Sequence, residues 1–276
     1  MSGTGLAVRP PAVAGSFYDA EPHRLARTVD RLLNRVDVEA VRNDRPLALV
    51  APHAGLDYSG PVAATAYAQL RAHAGSVDRV VLLGPSHFTP VRGMAVPAAA
   101  GFATPLGTAP VDVAACLLLA ASFPGVAVTD GPHAEEHSLE VQLPFLQRAL
   151  DAELSVVPVV AGGASPDDVA DVLDALGLPD GGRRDGRTLL VVSTDLSHYL
   201  DAATAARRDR ATAQAVVRHD VGAIGSRDAC GAVPLRGLLT WARRHDRAVS
   251  LLDLRSSADT AGGRARVVGY GAFRVD

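Results

Sequence analysis

Three histidines stand just past three apolar runs. Leu47-Ala48-Leu49-Val50-Ala51 leads into Pro52-His53, and Val80-Val81-Leu82-Leu83 into Gly84-Pro85-Ser86-His87. Leu189-Leu190-Val191-Val192 leads into Ser193-Thr194-Asp195-Leu196-Ser197-His198. If these runs are parallel strands of one sheet, their carboxyl ends open on a common crevice, where such sheets bind ligands. Three imidazoles on one rim are what a metal site or an acid–base site requires. One loop histidine bonded to backbone would need no such account; three in register, each beside Gly, Pro or Ser, do. Asp195, three residues before His198, is placed either to orient an imidazole or to cap a turn.

Two cysteines are available. Cys230, between Asp228 and Pro234 in a helix-to-helix turn with Gly231 beside it, is the better ligand or nucleophile candidate. Cys116, embedded in Ala115-Cys116-Leu117-Leu118, reads as a small core residue. A rival constellation is His133-Ala134-Glu135-Glu136-His137, which matches the H-x-x-E-H zinc signature. That chemistry needs both histidines on one helical face. Gly131-Pro132 would open such a helix, but the apolar stripe begins only at Leu139, and Ser138 reads as a cap. Tyr18, Tyr58 and Tyr199 lie near turns, where they line a pocket or pack in the core.

The rest of the composition narrows the chemistry. All 27 basic residues of the 276-residue chain are arginine, which excludes a Schiff-base lysine and a Walker-A loop. Arginine keeps its proton, so acid–base work falls to His, Asp, Glu, Tyr or Cys. The net charge of −3, without a run of one sign, marks neither a nucleic-acid groove nor an anionic membrane surface. Two cysteines, no leader-like N-terminus and no apolar stretch near the ~20 residues of a membrane helix predict a cytoplasmic protein.

Positioning the rim histidines requires buried strands. The three runs above and Val156-Val157-Pro158-Val159-Val160 are continuous rather than alternating, as expected of parallel strands covered on both faces. Pro158 cannot donate to a ladder, which predicts an edge or a bulge. Helical spacing joins Leu25, Val29, Leu32 and Leu33; Leu139, Leu143, Leu146 and Leu150; and Val169, Val172, Leu173 and Leu176. The last follows a Ser165-Pro166-Asp167-Asp168 capping box and stops at Gly177. Residues 201–218 and 234–244 read as further helices, and 248–252 with 264–273 as an antiparallel pair. Gly181-Gly182-Arg183-Arg184-Asp185-Gly186 reads as a surface turn. The pattern predicts one α/β domain over residues 1–276, with a mainly parallel central sheet flanked by helices on both faces.

Seven motifs in unbroken order then resemble the Memo family: Val13-Ala14-Gly15-Ser16-Phe17-Tyr18; Ala51-Pro52-His53-Ala54-Gly55 with Tyr58-Ser59-Gly60; Leu83-Gly84-Pro85-Ser86-His87; Glu136-His137-Ser138-Leu139-Glu140 with Leu143-Pro144-Phe145-Leu146; Ser193 to Tyr199; Cys230-Gly231; and Val267-Val268-Gly269-Tyr270. In bacteria and archaea that family includes protein B of the AmmeMemoRadiSam system. The resemblance implies a fold like the class III extradiol ring-cleaving dioxygenases and a mononuclear metal, iron or copper, on His53, His87 and Cys230. It puts His198, with Asp195, where those dioxygenases keep an acid–base histidine, and it implies an Ammecr-type protein and a radical SAM enzyme as partners. Leu56 and Thr194 depart from the aromatic and serine common at those motif positions. The thiolate replaces the dioxygenases' carboxylate ligand. Two imidazoles and a thiolate leave open coordination positions for a small-molecule substrate, most readily on Fe(II), with copper and zinc compatible. The expected function is a non-haem iron oxidoreductase; the alternatives are a non-catalytic metal-binding or adaptor protein, and a zinc hydrolase using His133 and His137.

Overall fold

The structure, a computed structural model, describes residues 7–150, 154–177 and 187–276. The turn expected at 181–186 lies outside the described residues. Twelve strands are described in chain order: β1 Val8–Arg9, β2 Ala48–Ala51, β3 Arg79–Pro85, β4 Met94–Val96, β5 Gly101–Thr104, β6 Gly107–Pro110, β7 Val126–Val128, β8 Ser155–Ala161, β9 Thr188–Ser193, β10 His198–Leu200, β11 Val249–Ser256 and β12 Val267–Val275. Nine form one mixed sheet in the order β10-β12-β2-β9-β3-β8-β4-β7, with β11 on β12. The other three, β1-β5-β6, form a small sheet.

The four continuous apolar runs are its centre. β2, β9, β3 and β8 pair parallel in that order. Side chains along a strand alternate between faces, yet all of β2 and β9, and all but the first residue of β3 and β8, are buried. Both faces are therefore covered by helices. The tail pair is antiparallel as expected, and β12 also pairs antiparallel with β2, extending the sheet beyond its parallel centre. The helices follow the apolar spacing: Pro22–Asn34, Pro166–Ala175 with the Ser165/Asp168 capping box, Ala202–Val217 and Ala232–Arg244.

Pro158 differs from expectation. β8 is not an edge strand, because β4 lies on its far side. β4 pairs only with Val160 and Ala161, however, while Val156 accepts instead from Asp112 N–H. Pro158 falls in the gap between these two contacts, where no ladder bond is asked of it.

Ser138 is not a cap either. Helix His137–Glu140 is capped by the Glu136 carboxylate, which accepts Ser138 N–H at 2.9 Å. The Ser138 hydroxyl instead donates to the Pro85 carbonyl at 3.2 Å, tying this helix to the end of β3. No helix of the described residues is long and apolar enough to cross a membrane.

Candidate metal centre

The ends of β2, β3 and β9 converge as adjacent parallel strands must. His53 is buried and His87 exposed, and the half-buried His137 joins them. One ligand atom from each lies within 4.8 Å of the others. The rings pack as a group: His87 and His137 stack at 4.7 Å between centroids, and His53 meets them edge-on at 5.2 and 5.4 Å.

Hydrogen bonding sets the tautomers of two of these rings. The Ser193 hydroxyl donates its single proton to the Ser138 carbonyl at 2.6 Å and accepts from Gln142 Nε2 at 2.8 Å. Its remaining contact, to His53 Nδ1 at 2.7 Å, is therefore one in which the imidazole donates. Nδ1 carries the proton and Nε2 keeps its lone pair. The Gln142 amide is fixed in turn, because its Oε1 accepts from Tyr67 O–H at 2.7 Å. His87 Nδ1 donates to Glu136 Oε1 at 2.8 Å, again leaving Nε2 free. Burial alone would raise the Glu136 pKa, but bonds from the His87 ring, His87 N–H and Ser138 N–H hold it at about 2. It is an acceptor throughout the physiological range, and metal-binding histidines are oriented by such partners. His53 and His137 are both held in the neutral, ligating form by burial and by the neighbouring imidazoles, His137 at about 4.

Cys230 reaches the cluster through His53. Its Sγ lies 3.3 Å from His53 Nε2 and 3.3 Å from Asp195 N, and it is outside the tight three-histidine group. Gly231 makes this approach possible: a Cβ there would stand 2.8 Å from the Ser193 carbonyl oxygen and 2.7 Å from Thr194 Cβ. With no side chain in the way, Gly231 N–H donates to Thr194 Oγ1 and Cys230 N–H to the Asp195 carbonyl. Burial and the Asp195 charge push the metal-free thiol up to about 12, and a coordinated cation reverses that preference. Cys116 is a buried core residue, as expected.

Asp195 and His198 share the cavity above the histidines, a space of about 870 Å³. The Asp195 carboxylate accepts His53 N–H at 2.8 Å, so it positions the His53 backbone rather than a ring. Burial raises it to about 6 despite that bond. His198 Nδ1 donates to the Leu196 carbonyl at 2.8 Å, which leaves its Nε2 as a base facing the cavity. Tyr58 and Tyr199 line this space, whereas Tyr18 is core.

His133 and His137 do not form a shared site. The chain turns extended at Glu136 between two four-residue helices, so the spacing that would align them on one face is lost. His133 is buried edge-on against Phe102 at 5.8 Å, while His137 turns to His53 and His87. His137 as a partner of the rim histidines was not legible from spacing, because nothing short of the helix break redirects it. Burial lowers the His133 pKa to about 4. An unfolded chain takes up that proton below about 6.5, so stability is full above that pH and falls as the pH drops towards 4. His133 accounts for at most about 3 kcal/mol of this loss. Chemical denaturation of His133→Leu against the parent between pH 7 and 4 should show a flatter slope; parallel slopes would refute it.

The chain is similar to known proteins along nearly its whole length. The Memo-like protein family matches residues 9–274. A MEMO1 family protein of Sulfolobus acidocaldarius is 32% identical, over 97% of this chain and 99% of its own length. Another from Saccharolobus solfataricus is 31% identical, over 96% and 98%. The crystal structure of an uncharacterized protein from Escherichia coli K12 aligns over 83% of this chain and 99% of its own at a TM-score of 0.51 and 16% identity, a likeness of fold alone. With a match spanning nearly its whole length and relatives covered almost end to end, the chain belongs to the Memo-like family.

Proposed function

We propose that the chain is a metal-dependent, iron-using oxidoreductase whose ion is held by His53, His87 and Cys230, with His137 beside them. The observation that carries this is the pair of second partners: Ser193 and Glu136 each accept a hydrogen bond from an Nδ1–H, leaving two Nε2 lone pairs for a common ion. The donor set fits such an ion, since imidazole and thiolate suit Fe(II), copper and zinc alike. A ferrous ion there supplies open coordination positions and redox chemistry towards dioxygen and an adjoining substrate. The chain's own groups do the remaining work. His198 Nε2 takes a proton from substrate and Asp195 holds the loop bearing His53 in place. The two free cysteines fit a reducing cytoplasm, and by resemblance an Ammecr-type protein and a radical SAM enzyme are the partners.

The test is metal content after anaerobic ferrous reconstitution, read with oxygen uptake in the presence of a catechol. About one iron per chain is expected in the parent and in Cys116→Ser, with most of it lost in His53→Ala and Cys230→Ser. Equal metal in all four would overturn the site. Loss in His137→Ala but not in Cys230→Ser would move the third ligand to His137. Stoichiometric iron without oxygen uptake would favour a metal-holding adaptor.

A further inference from the structure

Helix Val113–Ser122 shows an uncommon face to solvent. One side of it, with Ala115, Cys116 and Leu119, is buried. The opposite side carries Ala114, Leu117, Leu118 and Ala121, all exposed, the two leucines at 54% and 62%. Residues three and four apart share a helix face, so these four form one apolar stripe. The outer face of a surface helix is normally charged or polar. Helix Pro22–Asn34 keeps that rule by turning Arg24, Arg27 and Arg31 outward. Helix Val113–Ser122 breaks it, and residues 113–129 contain no charged side chain at all.

The uncharged surface continues onto the sheet. β7 packs beside this helix, ends the nine-stranded sheet and pairs only with β4 among the described residues. Its Ala127 and Val128 are exposed, and its free edge has none of the charges that usually protect one. Together helix and strand leave on the order of 400 Å² of apolar surface uncovered, a size at which patches on single chains mark binding sites. None of these residues lines the cavity over the histidines, so the patch is separate from the metal site.

The order of residues along the stripe identifies its occupant. Ala-x-x-Leu-Leu-x-x-Ala, from Ala114 to Ala121, reads the same in both directions about the midpoint of Leu117 and Leu118. A two-fold axis at that midpoint sets two copies antiparallel, with Leu117 of each against Leu118 of the other and Ala114 against Ala121. The small alanines at both ends let the helix axes come close, and each positive N-terminus meets a negative C-terminus. No like charges meet across the patch, because it has none. We propose that two copies of this chain pair through this face in a two-fold, antiparallel helix contact. Two such faces with their rims bury roughly 1,000 Å² in total, the low end of specific interfaces, which places the dissociation constant at about 10–100 µM. Pairing of this kind depends on no metal.

Sedimentation of the full-length protein from about 1 µM to 1 mM reads the association directly. A monomer–dimer equilibrium in that range is expected for the parent. The same is expected for Leu251→Glu, which charges a leucine 42% exposed elsewhere on the surface. Leu117→Glu and Leu118→Arg should each weaken pairing about a hundredfold or more, because each buries two unpaired charges. Mixed in equal amounts, the two variants should associate again. The two-fold axis then sets the acid of one copy against the base of the other, and the two remaining leucines against each other. Melting curves matching the parent's show that these surface variants fold. Hydrogen exchange on the parent needs no substitution: protection at residues 114–121 should rise with concentration. A parent that stays monomeric to about 1 mM, a dimer unmoved by either substitution, weakened variants that do not recover on mixing, or protection independent of concentration would each overturn the pairing.

Discussion

Glu140→Ala is expected to cost about 3–5 kcal/mol of stability. The Glu140 carboxylate is fully buried and collects bonds from four groups: Arg9 Nη1, Tyr18 O–H, Ala12 N–H at 2.8 Å and Val13 N–H at 3.0 Å. The Arg9 guanidinium is itself buried, and donates onward to the His133 and Glu136 carbonyls at 2.7 Å each. Removing the carboxylate leaves the buried Arg9 cation without its counter-charge, and the Tyr18 hydroxyl and two backbone N–H groups without their acceptor; an uncompensated buried charge is the expensive outcome. The pair itself contributes far less than its breaking costs. At this chain length the melting temperature should fall on the order of 10 °C, with a smaller fall for Glu140→Gln, which keeps an acceptor. The damage should also be local. Residues 12–18 are fastened to the His137–Glu140 helix by these bonds, and Phe17 packs on the His137 ring at 4.8 Å. Hydrogen exchange should accelerate first at Ala12 and Val13. An unchanged melting temperature would mean that this ion pair does not exist.

Glu136→Ala is expected to weaken metal binding by about 10–100-fold while leaving all the proposed ligands in place. Glu136 does three things at once: it accepts the His87 ring proton, accepts His87 N–H at 2.6 Å and caps the helix that carries His137. Without it the His87 ring loses its fixed tautomer and orientation, and the cap loss adds about 1 kcal/mol of destabilisation. Glu136→Gln separates the two roles. Its amide oxygen can still accept the ring proton, so it should recover part of the affinity. Competition with a chromogenic chelator reads the effect directly, and an affinity unchanged in both variants would refute the orienting role.

How much of this could be read in the residue order depends on the kind of contact. The central strands were legible because a strand buried on both faces shows itself as a continuous apolar run, and parallel neighbours place His53, His87 and Asp195 at one end. The turn around Cys230 already made it the better ligand candidate, and the Memo motifs implied its place beside His53 and His87; its approach to His53 depends on Gly231 lying against the end of β9. Other features were hidden for physical reasons. Arg9 and Glu140 are 131 residues apart, and no local pattern announces a pair made by the fold alone. His133 and His137 have helical spacing that the extended Glu136 cancels. Asp195 stands near an imidazole in sequence, yet its carboxylate is taken by a backbone N–H at the end of the neighbouring strand β2. Pro158 marks a true gap in pairing, but a gap inside the sheet.

The antiparallel strand beside β2 has a consequence for how the protein is made. Val50 is paired with Phe273, about 220 residues later in the chain, and β2's other neighbour, β9, is about 140 residues away. His53 therefore leaves the ribosome long before either strand that will flank its own. Contacts of such long range are slow to form, because the chain entropy they cost must be met before they are rewarded. During that interval the histidine-bearing strand has both edges open, a hazard for pairing with other chains. Synthesis should accordingly pass through a state competent neither to hold metal nor to resist aggregation, and the yield of native protein should depend on chaperone supply and translation rate.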